Sequence, residues 1–278
     1  MDMLDQYRGF FQYTQQFEHF IFATMLAGSR LFACFAILQA TSAQALQGRV
    51  RSGIVILIAL YVAAGLPENI FAGLSGINLF ILALKEAFLG MLLGFMAATV
   101  FWVAEGVGAM IDNVAGYNNV QQQNPLSSQQ STPISLLLLQ LCITVFYMLG
   151  GFLLLLEALF ATYRWWPISS MTPVPAAMLE QFVIFQTDTM MTQIVKIAAP
   201  ALMVMVLIDL SFGLIAKTAG KLEPNSLAQP VKSATALLVV MLSLGVFIQQ
   251  LTLSLSLSDL KEQLQGWVNL VGRLQSLQ

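Results

Sequence analysis

The chain is 278 residues long, 58% hydrophobic and only 9% charged, with a net charge of −2 and a mean hydropathy of +0.77. Soluble domains carry about 25% charged residues, so a buried core alone does not account for this composition, and the chain reads as an integral membrane protein. There is no basic surplus to hold nucleic acid. One histidine, with two cysteines (Cys34 and Cys142) inside apolar runs, offers neither a metal or haem cluster nor a disulfide framework, and no cofactor is expected.

Residues 1–19 are acidic, aromatic and amide-rich. They lack the basic n-region, short apolar core and small-residue cleavage site of a secretory signal, so the first span is expected to insert uncleaved. Six apolar runs come near the ~20 residues that cross a bilayer as a helix: residues 20–40, 53–67, 79–104, 134–161, 194–216 and 234–257. The second is short and passes into a Gly-rich continuation; several others are long enough to tilt or bend. Arg49 and Arg51 follow the first run. Lys217, Lys221 and Lys232 surround the link between the fifth and sixth. Both links fall on one side of a six-span chain, and their positive charge makes that side cytoplasmic. The link 113–133 joins the third and fourth runs on the same side. The link 164–193 and both termini fall outside, with Trp165, Trp166 and Pro167 suited to an interface belt. Neither a long internal repeat nor a separable soluble domain is visible, so a single domain, 1–278, is expected. In the tail, 259–278, Leu260, Leu264, Trp267, Leu270, Val271 and Leu274 are spaced as on an amphipathic helix.

Within the third run, Gly90 and Gly94 form a G-x-x-x-G ridge, extended by Ala98, on which another helix backbone can approach closely. Arg30, Lys85, Glu86, Glu157 and Asp209 are ionisable residues inside or bordering apolar runs. Each costs about 2.5–3.5 kcal/mol at a helix centre on insertion scales. They fit either a proton or ion relay, or simple pairing with a neighbouring subunit or backbone. Their spacing resembles no relay. Glu105, Gly108 and Asp112 lie at i, i+3 and i+7, on one face at the end of the third helix.

From residue 113 to residue 156 the chain carries no Lys, Arg, Asp or Glu. After Gly116 and Tyr117 come Asn118, Asn119, Gln121, Gln122, Gln123 and Asn124, then Pro125 and a second cluster of hydroxyls and amides from Ser127 to Thr132. A soluble domain rarely needs an uncharged polar loop of this length. The segment fits a solvated linker, a low-complexity interaction segment or a folded element in a protein cavity, since irregular backbone at membrane depth must be surrounded by protein or water. Composition leaves all three open and slightly favours the linker. No phosphate-binding loop, zinc-protease motif or nucleophile elbow is present, and catalytic residues are not expected.

Taken together, several segments resemble one family. Lys85-Glu86-Ala87-Phe88-Leu89-Gly90, Leu93-Gly94, Phe101-Trp102-Val103, Gly108, Ile111-Asp112-Asn113 and Gly116 match, in order and spacing, the FliR/SpaR/SctT family of T-type export-apparatus proteins in type III secretion. Gly48-Arg49-Val50-Arg51 resembles its basic turn and Gly150-Gly151 its fourth-helix glycine pair. Ala199-Pro200, Asp209 with Gly213-Leu214-Ile215, and Val231-Lys232-Ser233 resemble its fifth helix and the loop that follows. The resemblance covers about residues 25–255, and Ile111-Asp112-Asn113 is closer to the injectisome branch than to the flagellar one. There are departures. Asn124-Pro125 stands where the family usually has Asp-Pro, Leu31 follows Arg30 where the family often has Pro, and 219–223 reads Ala-Gly-Lys-Leu-Glu in place of Ala-Pro-Gln-Leu/Met-Asn.

The resemblance implies an all-α, multi-span membrane protein, present as one copy beside R-type and S-type subunits in a helical, cone-like export gate in the bacterial inner membrane, raised toward the periplasm. It further implies a U-type switch protein and an inner rod or needle adaptor as partners, and unfolded polypeptides as cargo. The segment 20–161 would hold four helices and the plug of the closed pore (the loop 113–133), and 194–257 an S-type-like hairpin. Asp112, Gly116, Tyr117, Asn118, Asn119, Gln121 to Gln123, Asn124 and Pro125 would then belong to the plug. Arg30, Lys85, Glu86, Gly90, Gly94, Gly108 and Asp209 would be packing positions between subunits, and Lys217, Lys221 and Lys232 a cytoplasmic-side loop. Two other classes remain. A secondary transporter of a small solute needs midplane polar groups and broken helices, usually in repeated halves, and the halves here are unlike. A purely structural assembly factor would depend on the Gly90 and Gly94 face and not on the loop.

Overall fold

The computed structural model describes residues 3–42, 46–67, 76–117, 122–123, 130–170, 176–218 and 224–254. The amphipathic segment expected at 259–278 lies outside them, as do Asn118, Asn119, Gln121, Asn124, Pro125 and Lys221. The described chain is helical: α1 (Met3–Ile37), α2 (Gly48–Ala64), α3 (Gly76–Ala115), α4 (Pro133–Met148), α5 (Gly151–Trp165), α6 (Ala176–Thr218) and α7 (Pro224–Ser254). A two-residue ribbon, β1 (Gln122–Gln123) with β2 (Gln130–Ser131), interrupts it. It is a multi-span helical membrane protein. The six apolar runs lie mostly on helix among the described residues. Three helices are long and apolar enough to cross a membrane, at Gln16–Ile37, Gly76–Ala115 and Leu179–Ile215, and α4 with α5 makes a fourth if the bent pair counts as one span. α2 has only 17 residues. The shorter apolar stretch on α7 is Gln229–Leu242, and the sixth run continues past the last described residue.

The helices divide between two units. One comprises Met1–Ala97 and Glu157–Pro175, the other Ala98–Leu156 and Ala176–Gln278. In the first, α1 buries Ala23, Leu26, Ala27, Leu31, Cys34 and Phe35, a stripe at helical spacing. α2 runs back along α1, burying Val55, Ala59 and Ala63 at i, i+4 and i+8. Gly28 lies against Ala59, and the Arg51 guanidinium stands over the Phe32 ring at 5.6 Å. The first half of α3 packs on α1 through the glycine ridge. A Cβ on Gly90 would overlap the Arg30 carbonyl, and one on Gly94 would lie 2.8 Å from the Cys34 carbonyl oxygen. The small-residue face is therefore filled by a helix of the same chain.

In the second unit, the end of α3 packs against α4 in the opposite direction. Phe101 meets Phe146 edge to face at 5.3 Å, and Gly108 is seated so tightly on the backbone of Ile134 and Ser135 that a Cβ there would overlap it. α4 and α5 are bent by 71°. Gly150, at φ +73, supplies the left-handed residue, and a Cβ on Gly151 would collide with the Phe146 ring. The sequence reading leaves 164–193 as a link, yet helix α6 starts at Ala176. The polar residues from Glu180 to Gln193 dilute hydropathy without breaking the helix, and one of them, Gln186, is buried and donates from Nε2 to Thr99 Oγ1 at 3.0 Å.

Candidate functional site

The uncharged loop leaves α3 and enters α4, and both roots are described. At the entry to α4, Thr132 occupies the N-cap but its side chain caps nothing, and Pro133 follows at the first helical position. Pro has no N–H, so the exposed donors begin at Ile134 and Ser135. Both are taken by one carboxylate. Asp112 Oδ2, fully buried, accepts from Ile134 N at 2.9 Å and from Ser135 N at 3.0 Å. Asp112 thus caps α4 from the last turns of α3, where the helix dipole also favours a negative charge. The Ser135 hydroxyl returns the tie, donating to the Glu105 carbonyl at 3.0 Å. Glu105, Gly108 and Asp112, one face of α3 by spacing, therefore meet the start of α4: Gly108 allows the approach, Asp112 caps, and the Glu105 backbone accepts.

At the exit from α3, Gly116 adopts φ +79, a conformation that suits glycine. Its amide returns to the Asn113 carbonyl at 3.3 Å. The root is held by α7. Gln229 Nε2 donates to the Ala115 carbonyl at 2.6 Å, and the Tyr117 hydroxyl donates to the Ser233 carbonyl at 3.3 Å. Between the roots, β1 and β2 pair antiparallel, Gln122 with Ser131 and Gln123 with Gln130. At this ribbon the segment folds back on itself. α7 is tied in turn to α6 by an ion pair between Lys232 and Asp209. Lys217 ends α6 exposed.

A second polar cluster lies in the other unit. Arg30 and Glu86 are fully buried, with Arg30 Nε 2.6 Å from Glu86 Oε2. Lys85 Nζ is 2.8 Å from Glu86 Oε1. The guanidinium also donates to Thr162 Oγ1 at 3.1 Å and to the Trp166 carbonyl at 2.9 Å, and it stacks 4.2 Å from the Tyr163 ring centroid. Lys85 Nζ donates to the carbonyls of Pro167, Ile168 and Ser170 at 3.1, 3.1 and 2.8 Å. Arg30, Lys85 and Glu86 thus find their partners within the chain, beside Gly90 and Gly94. The cluster fastens the turn after α5. Asp209 pairs with Lys232, and Glu157 is exposed. Sequence reasoning missed Gln229, Gln186, Thr99, Thr162 and Tyr163. It weighed only ionisable groups in apolar runs, whereas a neutral amide or hydroxyl there needs a partner as well.

A family model for bacterial export proteins, family 1, matches residues 21–257. The chain is 37% identical over 214 residues to Yop proteins translocation protein T of Yersinia pestis, covering 77% of this chain and 82% of that protein. It is 25% identical over 228 residues to surface presentation of antigens protein SpaR of Salmonella typhimurium, covering 82% and 84%. It is 23% identical over 169 residues to flagellar biosynthetic protein FliR of Bacillus subtilis, covering 60% and 64%. The matched region takes in both loop roots and the charged cluster, and the chain belongs to the bacterial export proteins, family 1, as a T-type (FliR/SpaR) subunit of a type III secretion apparatus.

Proposed function

We propose that this subunit lines the pore of an export gate in the bacterial inner membrane and that its uncharged loop, 113–133, plugs that pore at rest. The observation that carries the reading is the construction of the loop. Its backbone pairs with itself, one root is capped by a buried carboxylate, and the other is bound to α7. A plug must stay in place without offering charge to the lumen. Asn, Gln, Ser and Thr fill a wet passage and satisfy backbone groups with no fixed charge to attract counterions or to hold a passing polypeptide.

An uncovered apolar surface supports the presence of partners. Met203, Leu207, Leu210 and Leu214 on α6 are 68, 61, 60 and 68% exposed and recur at i, i+4, i+7 and i+11, a continuous apolar stripe. Only 17% of α6's most apolar stretch is buried in the chain, against 50% for α3. R-type and S-type subunits, with lipid, would cover such a face, with this chain as a single copy and α6–α7 as an S-type-like hairpin. A U-type switch protein and an inner rod or needle adaptor would adjoin the gate, which stands raised toward the periplasm and passes unfolded polypeptides. Deletion of residues 117–131 tests the plug: the assembled complex should leak ions at rest, and leakage equal to wild type overturns the reading.

A further inference from the structure

We propose that the step where α2 ends against α1 is a binding site for one membrane phospholipid, which is seated by hydrogen bonds to its polar end and by an apolar track for its chain.

α1 has 35 residues and α2, which runs back along it, has 17, so α1 continues past the last residue of α2. The two helices meet through small side chains: Gly28 lies against Ala59, and Ala23 and Ala63 are buried. At the end of that contact is a cleft of about 450 Å³, within the roughly 300–1,000 Å³ of small-ligand sites. α2 and the turn after it line the cleft with Ala63, Ala64, Leu66 and Pro67, all apolar. α1 lines it with both kinds of side chain: Phe17, Phe20 and Ala23, and, three residues apart, Tyr13, Gln16 and His19. His19 Nδ1 is buried and has no hydrogen-bond partner among the described residues. Leaving such a group unpaired costs about 1–3 kcal/mol. A purely apolar occupant leaves that nitrogen unpaired, and water alone leaves the apolar walls wet. An amphiphile satisfies both.

The surroundings identify the amphiphile. The cleft lies at the start of the first apolar span, Gln16–Ile37, and aromatic side chains at a span's end mark a membrane–water interface. Phe17, in the wall of the cleft, continues into an exposed apolar stripe with Ile21 and Met25, at i, i+4 and i+8 on one helix face. An acyl chain lies along that stripe while a phosphate or ester oxygen accepts from the imidazole, in the tautomer that carries its proton on Nδ1. The described residues lining the cleft include no Lys or Arg, whereas lipid sites selective for anionic headgroups are basic pockets. Recognition therefore rests on hydrogen bonds and apolar contact, and a zwitterionic phospholipid such as phosphatidylethanolamine is sufficient.

The test places the assembled complex in phosphatidylethanolamine nanodiscs that carry a photoactivatable phosphatidylethanolamine. Adducts are mapped by peptide mass and counted per complex, with subunit composition checked by native mass. Labelling should fall within residues 13–25 and 61–67. Ala64→Phe, at an exposed position in the cleft wall, fills the site and should abolish it. His19→Leu keeps the bulk and removes the nitrogen, and should lower it roughly five-fold, the shift that one neutral hydrogen bond sets. Replacing half of the bilayer by phosphatidylglycerol should leave it unchanged. Wild-type adducts that avoid both segments, or labelling that neither substitution alters, overturn the site. Labelling that appears only with phosphatidylglycerol overturns the headgroup assignment. A benzophenone side chain introduced at position 64 that captures another protein chain in place of lipid shows a protein occupant and overturns the proposal.

Discussion

The sharpest energetic prediction concerns Glu86→Gln. Glu86 and Arg30 are both 0% exposed, and the Lys85 side chain is 12% exposed, so two cations share one carboxylate away from water. The cations have other support. Arg30 has Thr162, the Trp166 carbonyl and the Tyr163 ring, and Lys85 has three carbonyls. Those dipoles solvate but do not neutralise. Replacing Glu86 by Gln leaves two positive charges facing each other in a dry site, and removing one partner of a buried pair costs about 3–5 kcal/mol. Arg30→Met is the informative contrast. It deletes a buried charge but leaves Lys85 and Glu86 as a balanced pair, so the main loss is the Trp166 carbonyl left without its donor, about 1–3 kcal/mol. The charge count therefore predicts that the isosteric change at Glu86 is worse than the larger change at Arg30. The assay is the thermal midpoint of the detergent-purified complex. Glu86→Gln should lower it by roughly 10 °C, at the 2–4 °C per kcal/mol typical of chains this long, and Arg30→Met by about half as much. A Glu86→Gln midpoint equal to or above that of Arg30→Met refutes the reasoning.

Two further outcomes separate close packing from capping. Gly90→Ala places a methyl on the Arg30 carbonyl, which is backbone and cannot turn aside, and should destabilise by about 1–3 kcal/mol. Gly53→Ala in α2 meets open space and should stabilise by about 0.5–1 kcal/mol; equal midpoints for the two variants would dismiss the ridge. Asp112→Ala removes the α4 cap, for about 1–2 kcal/mol, and should speed hydrogen exchange at the amides of Ile134 and Ser135. Asp112→Asn keeps an acceptor oxygen and should protect them, so unchanged exchange in the alanine variant would count against the cap.

The helices were legible because apolar length is a local property, and the runs named from hydropathy lie mostly on helix among the described residues. The start of α6 was not. Polar residues from 180 onward lower hydropathy without breaking the helix, and one of them, Gln186, finds its partner in Thr99, 87 positions away, which no local pattern announces. Arg30, Lys85 and Glu86 stood out singly as costly charges, but nothing local announces that residues 56 positions apart share an ion pair. Gly90 and Gly94 were readable as a ridge without revealing that α1 of the same chain fills it. For the loop, composition offered linker, interaction segment and folded element, and leaned to the linker. The pairing of Gln122 with Ser131 and the bonds that Asp112 and Gln229 make at the roots are made across sequence distance, which composition does not carry.

Those buried charges bear on why the loop has none. One account of the uncharged stretch 113–156 is that this chain avoids charge wherever water is scarce. Arg30 and Glu86 refute it, since both are fully buried and paired, and Asp112, at the edge of the stretch, is buried with two backbone donors. The chain accepts a buried charge wherever a fixed partner can be built for it. A loop that must leave its seat has no fixed partner, because a charge paired in the closed position is stranded when the loop moves, at the cost of any broken buried pair. Neutral amides lose only hydrogen bonds that water replaces. Neutrality in 113–133 is thus what the proposed plug would require, and the charged residue nearest to it, Asp112, caps the start of α4.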